Sequence, residues 1–293
     1  MSEKAEVEPV RSGRVALGAH EVHWEEHGSG AGGADGREAI CLLNGLAVDT
    51  RTWYGFLDRL LDAYDVLLWD YPGQGKSTKH DLPLTFPALA DGLAAVLDAA
   101  GRERVHLMGI SYGGFVALET ARLHSDRLHT MVLSGILLFP DALFEMYEDL
   151  SLRFYRGSRE VFELYTHYMY EKIFGEAFVR RLGREGLEPM RRRFVDRWAD
   201  HRHALIRLTE AQDPFFAAVE ENLPGYRAAD VPTLVLAGEH DRTIPPWTQR
   251  RIAEVLPVCR YEEILGCGHV AYLEAPDAFF GRVREWAASP PRP

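Results

Sequence analysis

Ser111 is the residue of this sequence whose surroundings point most directly to chemistry. Residues 109–113 read Gly-Ile-Ser-Tyr-Gly, a G-x-S-x-G motif between the largely apolar residues 105–108 and the apolar residues 115–118. Between a strand and a helix, such a motif predicts a nucleophile elbow, a turn so tight that glycine must flank the serine and hold its hydroxyl clear of the sheet. We therefore predict that Ser111 is a nucleophile that attacks an acyl carbonyl.

Two further residues are of the types that activate such a serine, which needs a base to take its proton and an acid to orient that base. His269 and Asp241 each follow a short strand-like run, so both are expected at strand ends on the side of the sheet where Ser111 lies. Glu239 is the competing acid, but its position two residues earlier favours a salt bridge or the end of the strand. We predict a catalytic triad of Ser111, Asp241 and His269.

An oxyanion hole needs two main-chain N–H groups that point at the oxygen on which negative charge develops. The N–H of Tyr112, directly after the serine, is one candidate. The other is the N–H of Leu46, in the loop that follows the apolar residues 39–43. The same loop contains Asn44 and Gly45, which we predict to contact the substrate.

Strands and helices that alternate along the chain must position these residues. Short apolar runs separated by helical patterns predict a mostly parallel, doubly wound sheet with helices on both faces, an α/β fold. The first two strands are expected to form an antiparallel pair joined near Gly18. The predicted strands lie near residues 14–17, 22–25, 39–43, 66–69, 105–108, 131–133, 233–236 and 261–264, and the predicted helices include residues 52–61 and 86–100.

The alternation stops between residues 137 and 227, where the pattern is helical and rich in aromatic residues. This stretch is too long for a loop, so we predict an inserted helical cap over the carboxyl edge of the sheet, where such sheets bind ligands. The α/β core would then comprise residues 14–136 and 228–288, with residues 1–13 as a flexible tail. The cap aromatics either pack inside the cap or face a pocket for the acyl group, and the sequence assigns neither role to any one of them.

Composition and charge exclude several classes of protein. The 293 residues include 33 Lys and Arg against 44 Asp and Glu, and the net charge of −11 argues against general binding to nucleic acid or to anionic membranes. Three widely spaced cysteines show no zinc-site spacing, so we expect reduced thiols, no metal and no cofactor. Without an apolar signal region or a run of about 20 apolar residues, the sequence predicts a cytoplasmic protein that does not span a membrane.

Taken together, the motifs resemble those of the α/β-hydrolase superfamily, which also has the chain order serine, acid, histidine. The resemblance covers residues from about 14 to 288 apart from the cap. Many members have His-Gly where this chain has Asn44-Gly45, and here the chain is similar to the enol-lactonases of aromatic degradation and to the synthase that joins two 3-hydroxyacyl chains in rhamnolipid biosynthesis. The resemblance rests on Asn44-Gly45, residues 70–77, residues 109–113, residues 238–241 and Gly268-His269.

The residues and the resemblance together predict a cofactor-free serine hydrolase of the α/β-hydrolase fold. The expected reaction is hydrolysis of an ester, thioester or lactone of a largely apolar acyl substrate. Two alternatives stay open: an acyltransferase that passes the acyl group to a hydroxyl acceptor, and a ligand-binding receptor of the same fold. Nine arginines between residues 180 and 207 make a locally basic segment. An acyl carrier protein or a CoA thioester is its candidate partner, and a solvated helix face is the alternative.

Overall fold

One sheet organises the molecule. The computed structural model describes residues 8–30, 33–34 and 36–291, and within them eight strands form a single sheet. The strands are β1 Arg11–Leu17, β2 His20–His27, β3 Ala39–Leu43, β4 Asp65–Trp69, β5 Val105–Ile110, β6 Leu128–Ser134, β7 Thr233–Gly238 and β8 Cys259–Ile264. Their order is β1-β2-β4-β3-β5-β6-β7-β8. Pairs β1–β2 and β2–β4 are antiparallel and every other neighbouring pair is parallel, which confirms the predicted α/β fold.

Helices connect most of the parallel strands, and six of the helices that the structure describes lie between β6 and β7, in the region where the sequence predicts a cap. The helices are α1 Phe86–Ala100, α2 Tyr112–Leu123, α3 Ala142–Arg156, α4 Arg159–Ile173, α5 Glu176–Trp198, α6 Arg202–Glu210, α7 Gln212–Ala217, α8 Val219–Ala228, α9 Pro246–Arg250, α10 Ala271–Glu274 and α11 Pro276–Ala288. Within the described residues, none of them combines the length and the apolar character needed to cross a membrane.

The bounds of α1 agree with the sequence because its end signals are strong. The Thr85 side chain accepts a hydrogen bond from the N–H of Ala88, as expected of an N-cap residue. Gly101 then ends the helix with a left-handed φ of 69°.

The side chains of β3 explain why the sheet is covered on both faces. Cys41 and Leu43 belong to a buried cluster that includes side chains of α1 and α2. Ile40 and Leu42 belong to a second cluster, with α11 and the segment after β3. Successive residues of a strand point to opposite faces, so an entirely apolar strand needs packing partners on each side.

Two predicted boundaries are wrong. Strand β1 begins at Arg11, so residues 11–13 of the predicted tail are part of the sheet, with Gly13 opposite Trp24. Arg, Ser and Gly at these positions lack the apolar alternation that marks a strand; residues 1–7 lie outside the described residues. The predicted helix over residues 52–61 consists instead of two 3-10 helices, Thr50–Gly55 and Leu57–Arg59. The apolar side chains of the two 3-10 helices recur at a spacing that an α-helix would also have, so the sequence pattern does not distinguish the two structures.

The fully buried carboxylate of Glu25, on β2, ties that strand to two connecting segments. It accepts hydrogen bonds from Tyr54 Oη at 2.6 Å, Lys76 Nζ at 2.7 Å and His23 Nε2 at 2.8 Å. Burial alone would raise the pKa of Glu25, but its hydrogen bonds and the nearby imidazole of His27 outweigh burial and hold that pKa well below its ordinary value.

This arrangement predicts that Glu25 contributes stability that acid removes. A carboxyl group whose pKa is lowered by folding stabilises the protein above its unfolded pKa of about 4.5, and the contribution disappears as the pH falls toward the folded-state value. The difference in free energy of unfolding between the parent and Glu25→Gln, measured by urea denaturation, should therefore be largest near neutral pH and shrink below about pH 4.5. Glu21→Gln, an exposed carboxyl on the same strand, is the control; a Glu25 difference that is independent of pH would contradict the prediction.

Candidate active site

Ser111 lies in the turn between β5 and α2, with φ of 51° and ψ of −119°. Its N–H donates to the carbonyl of Ser134 at 2.8 Å. A Cβ at Gly109 would lie 2.6 Å from the carbonyl oxygen of Gly113, and a Cβ at Gly113 would lie 2.5 Å from that of Leu43. Both glycines are therefore needed for the close approach of β3, β5 and α2, which is the geometry of a nucleophile elbow.

The three residues predicted as a triad come together at the carboxyl ends of β5, β7 and β8. His269 Nε2 lies 2.9 Å from Ser111 Oγ, and His269 Nδ1 lies 2.8 Å from Asp241 Oδ2. A carboxylate can only accept, so Nδ1 carries the imidazole proton and Nε2 is left to accept from the serine hydroxyl. This arrangement can remove the proton of Ser111 while the resulting imidazolium is stabilised by Asp241.

The carboxylate of Asp241 is held in place on both oxygens. Oδ1 accepts hydrogen bonds from the N–H groups of Thr243 and Ile244, at 2.9 and 2.8 Å. Oδ2 accepts from Gln249 Nε2 at 3.0 Å as well as from His269. Four donors on one carboxylate fix its orientation.

Glu239, the competing acid, points elsewhere. Its Oε2 accepts a hydrogen bond from the N–H of Gly266 at 2.8 Å, and 38% of its side chain is exposed. It stabilises the turn after β8, and it lies directly after Gly238, the last residue of β7.

Gln249 and Gly135 are two positioning residues that sequence reasoning missed. Gln249, fully buried on α9, donates to Asp241 and accepts a hydrogen bond from the Gly135 N–H at 3.0 Å. Gly135 has φ of 64°, and a Cβ there would lie 2.6 Å from Cε1 of His269, so only glycine leaves room for the imidazole. A glycine two residues after a predicted strand was a signal for Gly135, whereas nothing near Gln249 in the sequence marks its role.

Leu46 and Tyr112, the predicted oxyanion-hole residues, line the same cavity as Ser111. Tyr112 is the first residue of α2, so its N–H has no partner within the helix. The residue after Leu46, Ala47, has φ of 62°, and among the described residues Ala47 and Ser111 are the only non-glycine residues with positive φ. Backbone strain therefore concentrates on the two sides of this part of the cavity.

Asn44 requires a correction, because the structure does not place its side chain in the cavity. Asn44 is fully buried; its Nδ2 donates to the carbonyl of Trp69 at 2.9 Å, and its Oδ1 accepts from Trp53 Nε1 at 2.6 Å. With both ends of its amide bound to protein groups, Asn44 fixes the loop that contains Gly45 and Leu46. Gly45 lines the cavity, and its contact with the substrate stays a prediction.

A cavity of about 400 Å³ lies between the sheet and the helices that follow β6, and Ser111 and His269 line one side of it. Its wall is mostly aromatic and aliphatic. Phe162 and Phe178 pack instead in apolar clusters inside the helical region. The aromatic residues of the predicted cap that line the cavity are Phe144, Tyr147, Tyr155, Tyr165, Tyr170, Phe174, Phe194 and Trp198.

Glu274 links the helices that follow β6 to the loop that contains His269. Its Oε1 accepts from the N–H of Gly268 and its Oε2 from the N–H of Gly175, each at 3.0 Å. The N–H of His269 donates to the carbonyl of Ile173, at the end of α4, at 2.8 Å. The position of His269 therefore depends on the connection between α4 and α5 as well as on β8.

Comparisons with known proteins agree with this architecture. A relative named carbamate hydrolase RutD, from Caulobacter sp. strain K31, is 27% identical over 279 residues, which span 94% of this chain and 97% of the relative. The crystal structure of MGS-M2, an α/β hydrolase enzyme from a Medee basin deep-sea metagenome library, superposes with a TM-score of 0.85 at 22% identity and covers 96% of this chain and 99% of that one.

The enol-lactonase from Burkholderia xenovorans LB400 superposes with a TM-score of 0.79 at 23% identity and covers 94% of this chain and 100% of that one. The family model of the α/β hydrolase fold matches residues 38–276, from just before β3 to the start of α11. This match shows that the chain belongs to the α/β-hydrolase family of enzymes, and the strand order and the serine turn between β5 and α2 agree with it.

Proposed function

We propose that this enzyme hydrolyses an ester, thioester or lactone of a largely apolar acyl substrate through an acyl-enzyme at Ser111. The observation that carries the proposal is the continuous hydrogen-bonded chain from Ser111 Oγ through His269 to Asp241, with distances of 2.9 and 2.8 Å. Ser111 and His269 line the cavity, so the carbonyl carbon of a bound substrate can reach the serine oxygen.

In the proposed reaction, His269 Nε2 takes the hydroxyl proton as Ser111 Oγ attacks the carbonyl carbon. The oxygen that becomes negative accepts hydrogen bonds from the N–H groups of Leu46 and Tyr112. The imidazolium then gives its proton to the leaving group, and the acyl-enzyme remains. Water attacks that ester as His269 takes a proton from it; the acid leaves and the proton returns to Ser111. Asp241 stays ionised throughout.

The wall of the cavity supports an apolar acyl group. Aromatic side chains from α3 and α4 and aliphatic side chains of the loop after β3 surround the space next to Ser111. Each methylene group that moves from water into such a space contributes about 0.8 kcal/mol. One relative is named a carbamate hydrolase, and one structural neighbour is named an enol-lactonase. Both names describe hydrolysis of a bond to a carbonyl carbon, which agrees with the proposed chemistry.

We propose a small-molecule substrate in preference to one bound to a carrier protein. Much of the positive charge between residues 180 and 207 is engaged within the chain, which favours the solvated-face interpretation. The ion pairs include Arg180–Glu176, Arg191–Glu188, Arg192–Glu188, Arg197–Asp49 and Arg207–Asp81.

Labelling with a fluorophosphonate, read by intact mass and peptide mapping, tests the nucleophile: we expect one adduct, on Ser111. Product analysis then tests the reaction, using acyl esters, acyl thioesters of CoA and of a carrier protein, a lactone and a carbamate, each with and without a hydroxy acid as acceptor. Release of the free acid supports hydrolysis. A condensed ester as the main product would replace hydrolysis with acyl transfer, and a folded protein without an adduct on Ser111 would refute the proposed nucleophile.

A further inference from the structure

One carboxyl group interrupts the apolar wall of the cavity. Glu148, on α3, lines the cavity together with Ser111 and the aromatic residues of α3 and α4. Its Oε1 is buried and has no hydrogen-bonding partner among the described residues. Buried polar groups are normally paired, so an unpaired carboxyl oxygen in a binding cavity calls for a specific explanation.

Among the described residues, no cationic side chain forms an ion pair with Glu148. The charged groups that act on Glu148 are the carboxylates of two exposed residues, Asp213 and Glu145. Burial and these like charges raise the pKa of Glu148 to about 7. Near neutral pH this carboxyl group therefore exists in both its charged and its neutral form, and it can accept or donate a hydrogen bond. A group with such a raised pKa in a cavity is typical of a functional site.

Two neutral polar residues accompany it. Thr209, on α6, and Gln212, on α7, line the same cavity, and each is less than 9% exposed. Helix α3 packs against α6, and Gln212 Nε2 donates to the carbonyl of Thr209 at 3.3 Å, so the three cavity residues lie in one region of the wall. This region, formed by Glu148, Thr209 and Gln212, is here called the polar patch.

We propose that the polar patch binds a hydroxyl group on the acyl part of the substrate, with Glu148 as the residue that recognises it. The inference rests on the proposed function, because it concerns the acyl group that Ser111 takes. A hydroxyl both donates and accepts, as does a carboxyl group near its pKa, so the two groups match in either protonation state of Glu148. An ammonium group is the poorer match, because two cationic residues, Arg193 and Arg197, line the same cavity.

Decanoyl esters that each carry one hydroxyl at a different carbon test this specificity against the unsubstituted ester and an amino-substituted one. In the parent enzyme we expect kcat/KM for at least one hydroxylated ester to exceed that of the unsubstituted ester by about tenfold, the effect of one buried hydrogen bond. Glu148→Leu should abolish this preference, so that the ratio of kcat/KM between the hydroxylated and the unsubstituted ester falls to about one. Glu148→Gln, which keeps an acceptor and a donor, should retain part of the preference.

The matched control is Glu145→Leu, an exposed carboxyl one turn earlier on α3, which should leave the preference unchanged. Turnover of the unsubstituted ester separates this inference from the proposed function, which fails if no ester is turned over. If the parent enzyme cleaves the unsubstituted ester and favours no hydroxylated one, or favours the amino-substituted ester, the inference is overturned. The parent enzyme alone gives this result, so it does not depend on the folding of the variants.

Discussion

Replacing Ser111 with alanine is expected to lower kcat on an acyl ester by about 10³-fold or more, because the variant has no oxygen to form the acyl-enzyme. The loss of a hydroxyl leaves the elbow intact, since the turn depends on Gly109 and Gly113 and not on the serine side chain. The variant should therefore lose both its steady-state turnover and its labelling by a fluorophosphonate. The midpoint of its thermal unfolding should stay close to that of the parent.

The same variant separates the enzyme from a receptor of this fold. A receptor would keep its ligand affinity and its biological effect after Ser111→Ala, because binding in the cavity does not need the hydroxyl. Ser134→Ala is a matched control: this buried serine at the end of β6 contributes its main-chain carbonyl to the Ser111 N–H. Its side chain is not one of the proposed catalytic groups, so Ser134→Ala should keep most of the activity. Turnover by Ser111→Ala within tenfold of the parent would rule out the acyl-enzyme.

Asp241→Asn is expected to reduce kcat by about 10⁴-fold at neutral pH, because it reverses the hydrogen bonding of the histidine. Oδ1 of residue 241 accepts two main-chain N–H groups, so the amide oxygen of the asparagine must occupy that position. The amide nitrogen then faces His269 Nδ1, which must lose its proton to accept. The proton moves to Nε2, and the imidazole can no longer take one from Ser111.

Gln249 adds a second mismatched donor at the same position of residue 241. Its Nε2 also donates to Ile244 O at 2.6 Å, and its Oε1 accepts from the Gly135 N–H at 3.0 Å, so Gln249 cannot reverse its amide to receive the new donor. Kinetics of Asp241→Asn on an acyl ester, beside those of Glu239→Gln, provide the measurement. Glu239→Gln should stay within a few-fold of the parent, since that carboxyl does not contact His269. If kcat fell strongly in Glu239→Gln and only slightly in Asp241→Asn, Glu239 and not Asp241 would be the acid that orients His269.

The connection through Glu274 shows how the helices after β6 can influence the chemistry as well as the shape of the cavity. Glu274 bonds the loop of His269 and the start of α5 at once, through Gly268 and Gly175. A substrate that displaces α4 or α5 would therefore also displace the main chain that carries the histidine. The position of His269 is in this way linked to the positions of α4 and α5.

Local patterns in the sequence determined the frame of this protein. Apolar runs determined where β3 to β8 lie, the end signals Thr85 and Gly101 determined the bounds of α1, and the motif around Ser111 predicted its turn. These features depend on neighbours within a few residues, so a single sequence contains them. Parallel strands with their carboxyl ends at one edge also made it possible to predict that Ser111, Asp241 and His269 would meet.

Only the tertiary structure decided which groups support that meeting and which face the cavity. Gln249 reaches Asp241 and Gly135 because α9 folds back under β6 and β7, a contact across 114 residues that no local pattern encodes. Asn44 and Leu46 stand two residues apart in one loop, yet one is buried against Trp53 and Trp69 and the other lines the cavity. The aromatic residues after β6 likewise differ only in the direction that helix packing gives them. Composition and spacing determined that this chain has an elbow, a sheet and an aromatic-rich insertion, whereas long-range packing decided the orientation of each side chain around Ser111.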